Sequence, residues 1–353
     1  MTGGHAGAPR GVPGHHGGRR KPQGGGEVVT PRERAVAALR GQEPDDELPF
    51  FELGFQLTAN LLGEGFPSAA EQAAAGPVER ERLRQRALEL TVRVAEHYGH
   101  SVICYWDPIP RLNFEDDLWY VSALRREVGS RFLIAASCDG TFAIPDGIAM
   151  TDVAAAFFDD PAGTHERARR GVAHAVEQAR RLIDAGADVI LMCADYCFND
   201  GPFLSPRMFA EFVTPYLHEQ VRAIKAAGGY AVKHTDGNIL PILDQLLDCE
   251  PSGLHSLDPQ GGVDMADVKR LAGARTCLIG GVHCGLMQTG SDEDVVRSCQ
   301  YVLRQGMPGG GYMFGLSNVA YQGLRLERYD LMVSVLRRHG RYPFRPFEVS
   351  GVL

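Results

Sequence analysis

Three stretches of the sequence carry most of the side chains able to do chemistry. In Lys233-His234-Thr235-Asp236-Gly237-Asn238, an imidazole and a carboxylate stand two residues apart where an apolar run ends. In extended backbone, positions i and i+2 point the same way, so His234 and Asp236 can face one cavity. Gly237 can take a positive φ, and Asn238 can cap a helix that begins at Ile239. A neutral imidazole beside a carboxylate suits a substrate or metal site. The plainer reading is a loop-organising Asp236 and a hydrogen-bonded core His234. The second stretch is Gly280-Gly281-Val282-His283-Cys284-Gly285. Its paired glycines let the backbone approach a neighbour closely, and His283 and Cys284 follow on a loop with diverging side chains. His234, Cys284 and a carboxylate would make an open three-ligand Zn²⁺ site with a fourth position for substrate; otherwise Cys284 is a small buried hydrophobe. The third stretch is Asp195-Tyr196-Cys197-Phe198-Asn199-Asp200, where aspartate and tyrosine could carry protons. After it, Ser205-Pro206 reads as the N-cap and first-turn proline of a helix over 206–227.

These residues need elements to position them. Apolar runs read as strands over 48–53, 101–106, 132–137, 188–193, 229–233, 253–257, 276–282 and 311–316. Between most of them lie segments of helical period, such as Leu83, Ala87, Leu90 and Val94, or Val172, Val176, Ala179 and Ile183. Alternating strands and helices imply a parallel sheet, and eight strands in one chain of this length point to a (β/α)₈ TIM barrel. Chemistry then belongs at the carboxyl ends of the strands. Polar residues recur there: Glu52, Asp107, Asp139, Asp195 with Asp200, His234 with Asp236, Asp258, His283 with Cys284, and Ser317-Asn318. Of these, His234, Asp236, Asp195 and Tyr196 are the candidate catalytic groups. Glu52, Asp107, Asp139, Asp200, Asp258, His283 and Asn318 are the candidate substrate contacts. Gly309-Gly310-Gly311 precedes the last run, at the opposite face, and reads as a tight turn. No P-loop, dinucleotide fingerprint or serine nucleophile elbow is present.

Composition bounds the function classes. The chain has 353 residues, 44% of them hydrophobic, and a net charge of −8. No apolar run reaches the roughly 18–20 residues of a membrane helix. The first 26 residues hold Arg10, Arg19, Arg20 and Lys21 and no acid. Removing these four positives from −8 leaves −12 on the remainder, a poor surface for nucleic-acid phosphates. Residues 1–29 have too little to bury and are expected to be a disordered basic tail, with the folded domain over 30–353. Thr30-Pro31 with Glu33 reads as the start of its first helix, ending by Gly41. Without an apolar leader, the eight scattered cysteines are expected to be reduced thiols in a cytoplasmic protein.

These residues also carry a family pattern. Residues 186–345 closely resemble the uroporphyrinogen decarboxylase superfamily, through Gly186-Ala187-Asp188, Gly201 to Pro206, Pro215-Tyr216, His234 to Asn238, Leu257-Asp258-Pro259, Gly280-Gly281-Val282, Gly309 to Gly311 and Gly340 to Pro343. Pro31 to Gly41, then Glu43-Pro44-Asp45, looks like that superfamily's first helix. The resemblance implies a TIM barrel and two candidate chemistries. Decarboxylases of the superfamily act on a carboxylated tetrapyrrole without a cofactor and carry an arginine-rich segment near the first strand. Here Phe51-Glu52-Leu53-Gly54-Phe55-Gln56 has no arginine, and Arg111 and Arg207 are sparse substitutes. The other branch resembles zinc methyltransferases that pass methyl groups between corrinoid proteins and thiols, with H-x-C on the fifth strand and a later cysteine. His234 matches; Asp236 stands for the cysteine, and Ser317-Asn318 for the later one. The expectation is therefore methyl transfer involving a corrinoid or thiol, with Zn²⁺ on His234 and Cys284 and a corrinoid protein as partner. The alternatives are a decarboxylase and a barrel that binds a small molecule without turnover.

Overall fold

The computed structural model describes residues 29–105 and 113–352. Residues 1–28 of the basic tail, Asp107 and Arg111 lie outside them. The strands are β1 (Val102–Cys104), β2 (Leu133–Ser137), β3 (Val189–Met192), β4 (Cys197–Phe198), β5 (Gly201–Pro202), β6 (Tyr230–His234), β7 (Gly253–His255), β8 (Cys277–Ile279) and β9 (Tyr312–Met313). Seven form one parallel, curled sheet in the order β1-β2-β3-β6-β7-β8-β9; β4 and β5 make a small antiparallel hairpin after β3. Helices follow the strands, among them Phe114–Val128, Pro161–Ala185, Thr214–Ala226, Met265–Ala272, Asp292–Gly306 and Leu326–His339. No helix among the described residues is long and apolar enough to cross a membrane.

The strands are buried on both faces, and their period of two divides the core. Ile103, Ile134, Ala136, Ile190, Ala231, Leu254, Leu278 and Tyr312 pack with the helices. Val102, Leu133, Ala135, Val189, Leu191, Val232, Cys277, Ile279 and Met313 fill the other, enclosed face. Apolar side chains on both faces are what a parallel sheet covered on both sides requires. Ala35, Ala38 and Leu39 of the first helix, Pro31–Leu39, join the enclosed cluster. Thr30 and Glu33 cap that helix with a reciprocal capping box, as the sequence indicates. Arg32 anchors it at the amino ends of the strands, donating to Asp188 Oδ1 at 2.7 Å and to the Phe132 carbonyl at 3.3 Å. The carboxyl ends are thereby left for the loops.

Several expected elements differ, each for a local reason. The run at 48–53 forms one isolated bridge, Phe50 to Phe314, instead of a regular strand, and Pro49 has no N–H to give a ladder. It still bonds to both neighbours: Phe51 N–H donates to Phe314 O at 2.8 Å, and Ser101 N–H donates to Phe50 O at 2.7 Å. The helix expected over 206–227 breaks at Val213 into Pro206–Phe212 and Thr214–Ala226; Pro215 cannot continue the helical ladder. Beyond Asn238 a 3₁₀ turn, Leu240–Ile242, precedes the helix Leu243–Asp248. All eight cysteines are free.

Gly309, Gly310 and Gly311 all have positive φ, at 77°, 71° and 64°, and turn the chain into β9. A Cβ on Gly310 would lie 2.4 Å from the Gln42 backbone, whereas one on Gly309 meets nothing within 4 Å. Gly309→Ala should therefore cost only the left-handed strain of about 1–2 kcal/mol, and Gly310→Ala clearly more. Urea unfolding of both variants checks the order; equal losses would contradict the close approach at Gly310.

Candidate active site

Asp195, three residues past β3, and His234 and Asp236, at and just past the end of β6, converge. One ligand atom from each lies within 4.8 Å of the other two, and this is the one such group of three or more His, Cys, Asp or Glu among the described residues. His234 Nε2 stands 3.7 Å from Asp195 Oδ1 and 3.8 Å from Asp236 Oδ1. These gaps are too long for hydrogen bonds. The imidazole is buried, while 46% of the Asp195 side-chain surface is exposed, so the group opens outward on the aspartate side. Asp195 Oδ1 accepts the Asp236 backbone N–H at 3.1 Å. Asn318 Nδ2 donates to Asp236 Oδ2. Asp236 Oδ1 and Ser256 Oγ are both buried and make no hydrogen bond of ordinary length, though the Ser256 hydroxyl is near enough to favour the Asp236 carboxylate.

The loop bearing Asp195 is clamped from behind. Because Val232 and His234 face the enclosed side of β6, Lys233 faces the helices, wholly buried. Its Nζ donates to Asp139 Oδ2 and to Ala194 O, both at 2.8 Å, and lies 4.0 Å from the centre of the Tyr196 ring. Asp139 Oδ2 also accepts from Ala194 N–H at 2.9 Å, and Thr235 Oγ1 accepts from Tyr196 N–H at 2.9 Å. Thr141 gives its one hydroxyl hydrogen to Asp139 Oδ1 at 2.6 Å, so Tyr196 must be the donor in its 2.6 Å contact with Thr141. Gly237 completes the junction with φ +74°; a Cβ there would fall 2.5 Å from Phe198 O.

Burial and neighbouring charge set the protonation states. Burial pushes the Asp236 carboxyl up to about 7, with the Asp195 charge adding to it. Burial also raises Asp195. Burial and then the Lys233 cation bring His234 down to about 3, so its ring is neutral. Burial would raise Asp139, but the Lys233 charge and hydrogen bonds hold it below the usual carboxylate range. Tyr196 is raised well above a free phenol by burial and then by Asp139.

The structure thus gathers Asp195, His234 and Asp236, with Asn318 touching Asp236 and Asp258 near enough for its charge to act on Asp236, and gives the other expected site residues different surroundings. Asp139 and Tyr196 belong to the clamp behind the loop. Asp258 caps the 3₁₀ turn Pro259–Gly261 through Gln260 N–H. Asp200 is exposed in the turn between β4 and β5. His283 lines a separate cavity of about 410 Å³ with Asp264, Arg297 and Tyr301. Cys284 is outside the ligand group: its thiol donates to Val319 O at 3.3 Å, and burial raises it. Glu52 turns toward the helix layer, where Tyr329 donates to its Oε2 at 3.0 Å, while Phe51 and Leu53 take the enclosed face. Two residues given no role from the sequence matter here, Lys233 and His255. His255 ends β7 in direct register with His234. Matching strand-end histidines were its signal, but the register that pairs them is tertiary.

Burial pushes Glu52 up to about 8. Unfolded, it ionises near an ordinary glutamate value of about 4.3. Between these values the native state holds a proton that the unfolded chain releases, so this group lowers stability as pH rises from roughly 4.5 to 8. Glu52→Gln should remove that contribution and stabilise the fold more at pH 8 than at pH 5. Urea midpoints at the two pH values test this; an equal shift at both would place Glu52 as an ionised group in the native protein.

The comparisons agree with this architecture. The family model described as uroporphyrinogen decarboxylase (URO-D) matches residues 117–339. A solved methyltransferase from Methanosarcina mazei superposes with a TM-score of 0.69 at 19% identity, covering 88% of this chain and 99% of that one. A B12-independent methionine synthase from Shewanella sp. W3-18-1, in complex with selenomethionine, gives a TM-score of 0.50 at 12% identity, covering 82% and 96%. No curated protein sequence matches.

Proposed function

The chain belongs to the uroporphyrinogen decarboxylase (URO-D) family, and from that premise we propose that it is a metal-dependent methyltransferase. Its site lies at the carboxyl mouth of a closed (β/α)₈ barrel spanning residues 30–353. Backbone bonds from 49–51 to both edges of the sheet support closure. The single observation carrying the chemical reading is the Asp195–His234–Asp236 group itself, one ligand atom from each lying within 4.8 Å of the other two. Two crowded carboxylates beside a neutral imidazole are costly to bury unless a cation or a proton meets them.

Donor atoms 3.7 and 3.8 Å apart suit a cation bound at about 2.0–2.2 Å from each. One imidazole and two carboxylates make a harder donor set than the thiolate-containing one the family resemblance implies, and it suits Zn²⁺, Fe²⁺ or Mn²⁺. When bound, such a cation would supply Lewis acidity and lower the pKa of a thiol acceptor. The chain's own residues do the rest. Asn318 fixes the Asp236 carboxylate. The Lys233–Asp139 pair holds Ala194 and so aims Asp195. The half-exposed side of Asp195 admits the substrate. The similarity in fold to a methyltransferase and to a methionine synthase supports methyl transfer over the family's other chemistry, as does the absence of arginine in Phe51 to Gln56. A corrinoid or corrinoid protein is the proposed methyl donor.

Metal analysis of the purified full chain, with methylcobalamin and a small thiol as test substrates, decides the matter. The wild type should bind one divalent ion. Asp236→Asn and His234→Ala should each weaken it by more than the tenfold to hundredfold typical of outer-shell losses, and methyl transfer should fall with binding. Unchanged activity in chelator-treated protein would end the metal reading. Turnover of uroporphyrinogen would instead favour the decarboxylase, with Asp236 as a proton donor near neutral pH.

A second prediction concerns the clamp. Asp139→Ala leaves Lys233 buried and unpaired and should cost about 3–5 kcal/mol. Asp139→Ala with Lys233→Met should recover much of that in urea unfolding, yet metal binding should stay weakened because the Asp195 loop has lost its anchor. Full metal affinity in the double variant would show that the clamp does not position Asp195.

A further inference from the structure

We infer that His255 is a positioning residue for this site: it holds His234 in the tautomer whose Nε2 carries the lone pair. The reasoning runs along one chain of contacts. His255 Nε2 lies 3.2 Å from the Leu316 carbonyl oxygen, which can only accept, so His255 carries its hydrogen on Nε2. A neutral imidazole has one N–H, so His255 Nδ1 is bare. The two Nδ1 atoms of His234 and His255 stand 2.7 Å apart, a separation that demands one hydrogen between them. That hydrogen therefore belongs to His234 Nδ1, and His234 Nε2 is left bare, facing Asp195 Oδ1 and Asp236 Oδ1. Both rings are buried and no carboxylate comes within hydrogen-bond distance of His234, so neither position favours an imidazolium.

The surroundings hold His255 in this orientation. It is fully buried at the end of β7, in register with His234. The Phe51 ring lies 5.1 Å from its ring centre. Gly280, with φ +89°, leaves room for it: a Cβ there would sit 3.1 Å from His255 Cδ2 and 2.6 Å from Leu316 O. Gly280, the first of the paired glycines in the sequence, thus allows the close approach of His255 to the Leu316 carbonyl. A ligating imidazole whose other nitrogen is committed by a fixed partner is the arrangement by which outer-shell groups orient metal ligands. This inference deepens the proposed function and rests on it only where metal affinity is concerned.

The test uses the metal-free full chain labelled with ¹⁵N. Two-bond ¹H–¹⁵N imidazole spectra should show His234 protonated at Nδ1 and His255 at Nε2, with His255→Gln assigning the second ring. The glutamine can accept from His234 and donate to Leu316 O, so His234 should keep its tautomer in that variant. Co²⁺ titrations followed by visible absorption should show His255→Leu about 10–100-fold weaker than wild type, and His255→Gln restored to within about threefold. Finding His234 protonated at Nε2 in the wild type overturns the proposal, as does full Co²⁺ affinity in His255→Leu. Should His255→Leu fail to fold, the wild-type and His255→Gln tautomers still decide it. Should the wild type bind no Co²⁺, the metal reading falls, while the tautomers judge the role of His255 separately.

Discussion

Alternation along a single strand, β6, governs the site. Successive side chains of an extended chain leave on opposite faces. Val232 and His234 therefore look into the enclosed side, and Lys233 looks into the helix layer. From one face His234 meets Asp195, Asp236 and His255. From the other, Lys233 fastens Asp139, Ala194 and the Tyr196 ring. A shift of register by one residue would exchange the cation and the imidazole and dismantle both arrangements.

The electrostatics follow from the same geometry. Lys233 is wholly buried, a costly place for a charge, and stays there because Asp139 and the Ala194 carbonyl meet it. Its positive charge also works against a proton on His234. On the open side the Asp195 and Asp236 carboxylates crowd one another, and burial with mutual repulsion lifts Asp236 to about 7. Neutral imidazole and crowded carboxylates are thus two aspects of one compact group whose donor atoms are compatible with a metal site.

Some of this was readable in the residue order. The i, i+2 placement of His234 and Asp236 put both at the carboxyl end of β6, and Ser205, Thr30 and Asn238 announced turns and caps. Other residues have surroundings that only long-range packing decides. Glu52 looked like a mouth residue, yet strand parity turns it to Tyr329. Asp139 and Tyr196 looked reactive, but their partners 94 and 55 positions away, Lys233 and Thr141, make them a clamp. Cys284 has a ligand's chemistry, but its thiol is spent on Val319 O. His255 was passed over because nothing in Gly253 to Leu257 shows which strand lies beside it.

By itself the order of residues determined the alternation of apolar strands and amphipathic helices, the parallel sheet and the polar strand ends. These are local matters, dictated by period, turn chemistry and backbone sterics over a few residues. Only the tertiary structure decided which polar ends meet. Strand register and the curl of the sheet bring Asp195, His234, Asp236 and His255 together from three segments, and chain separation carries no record of those distances.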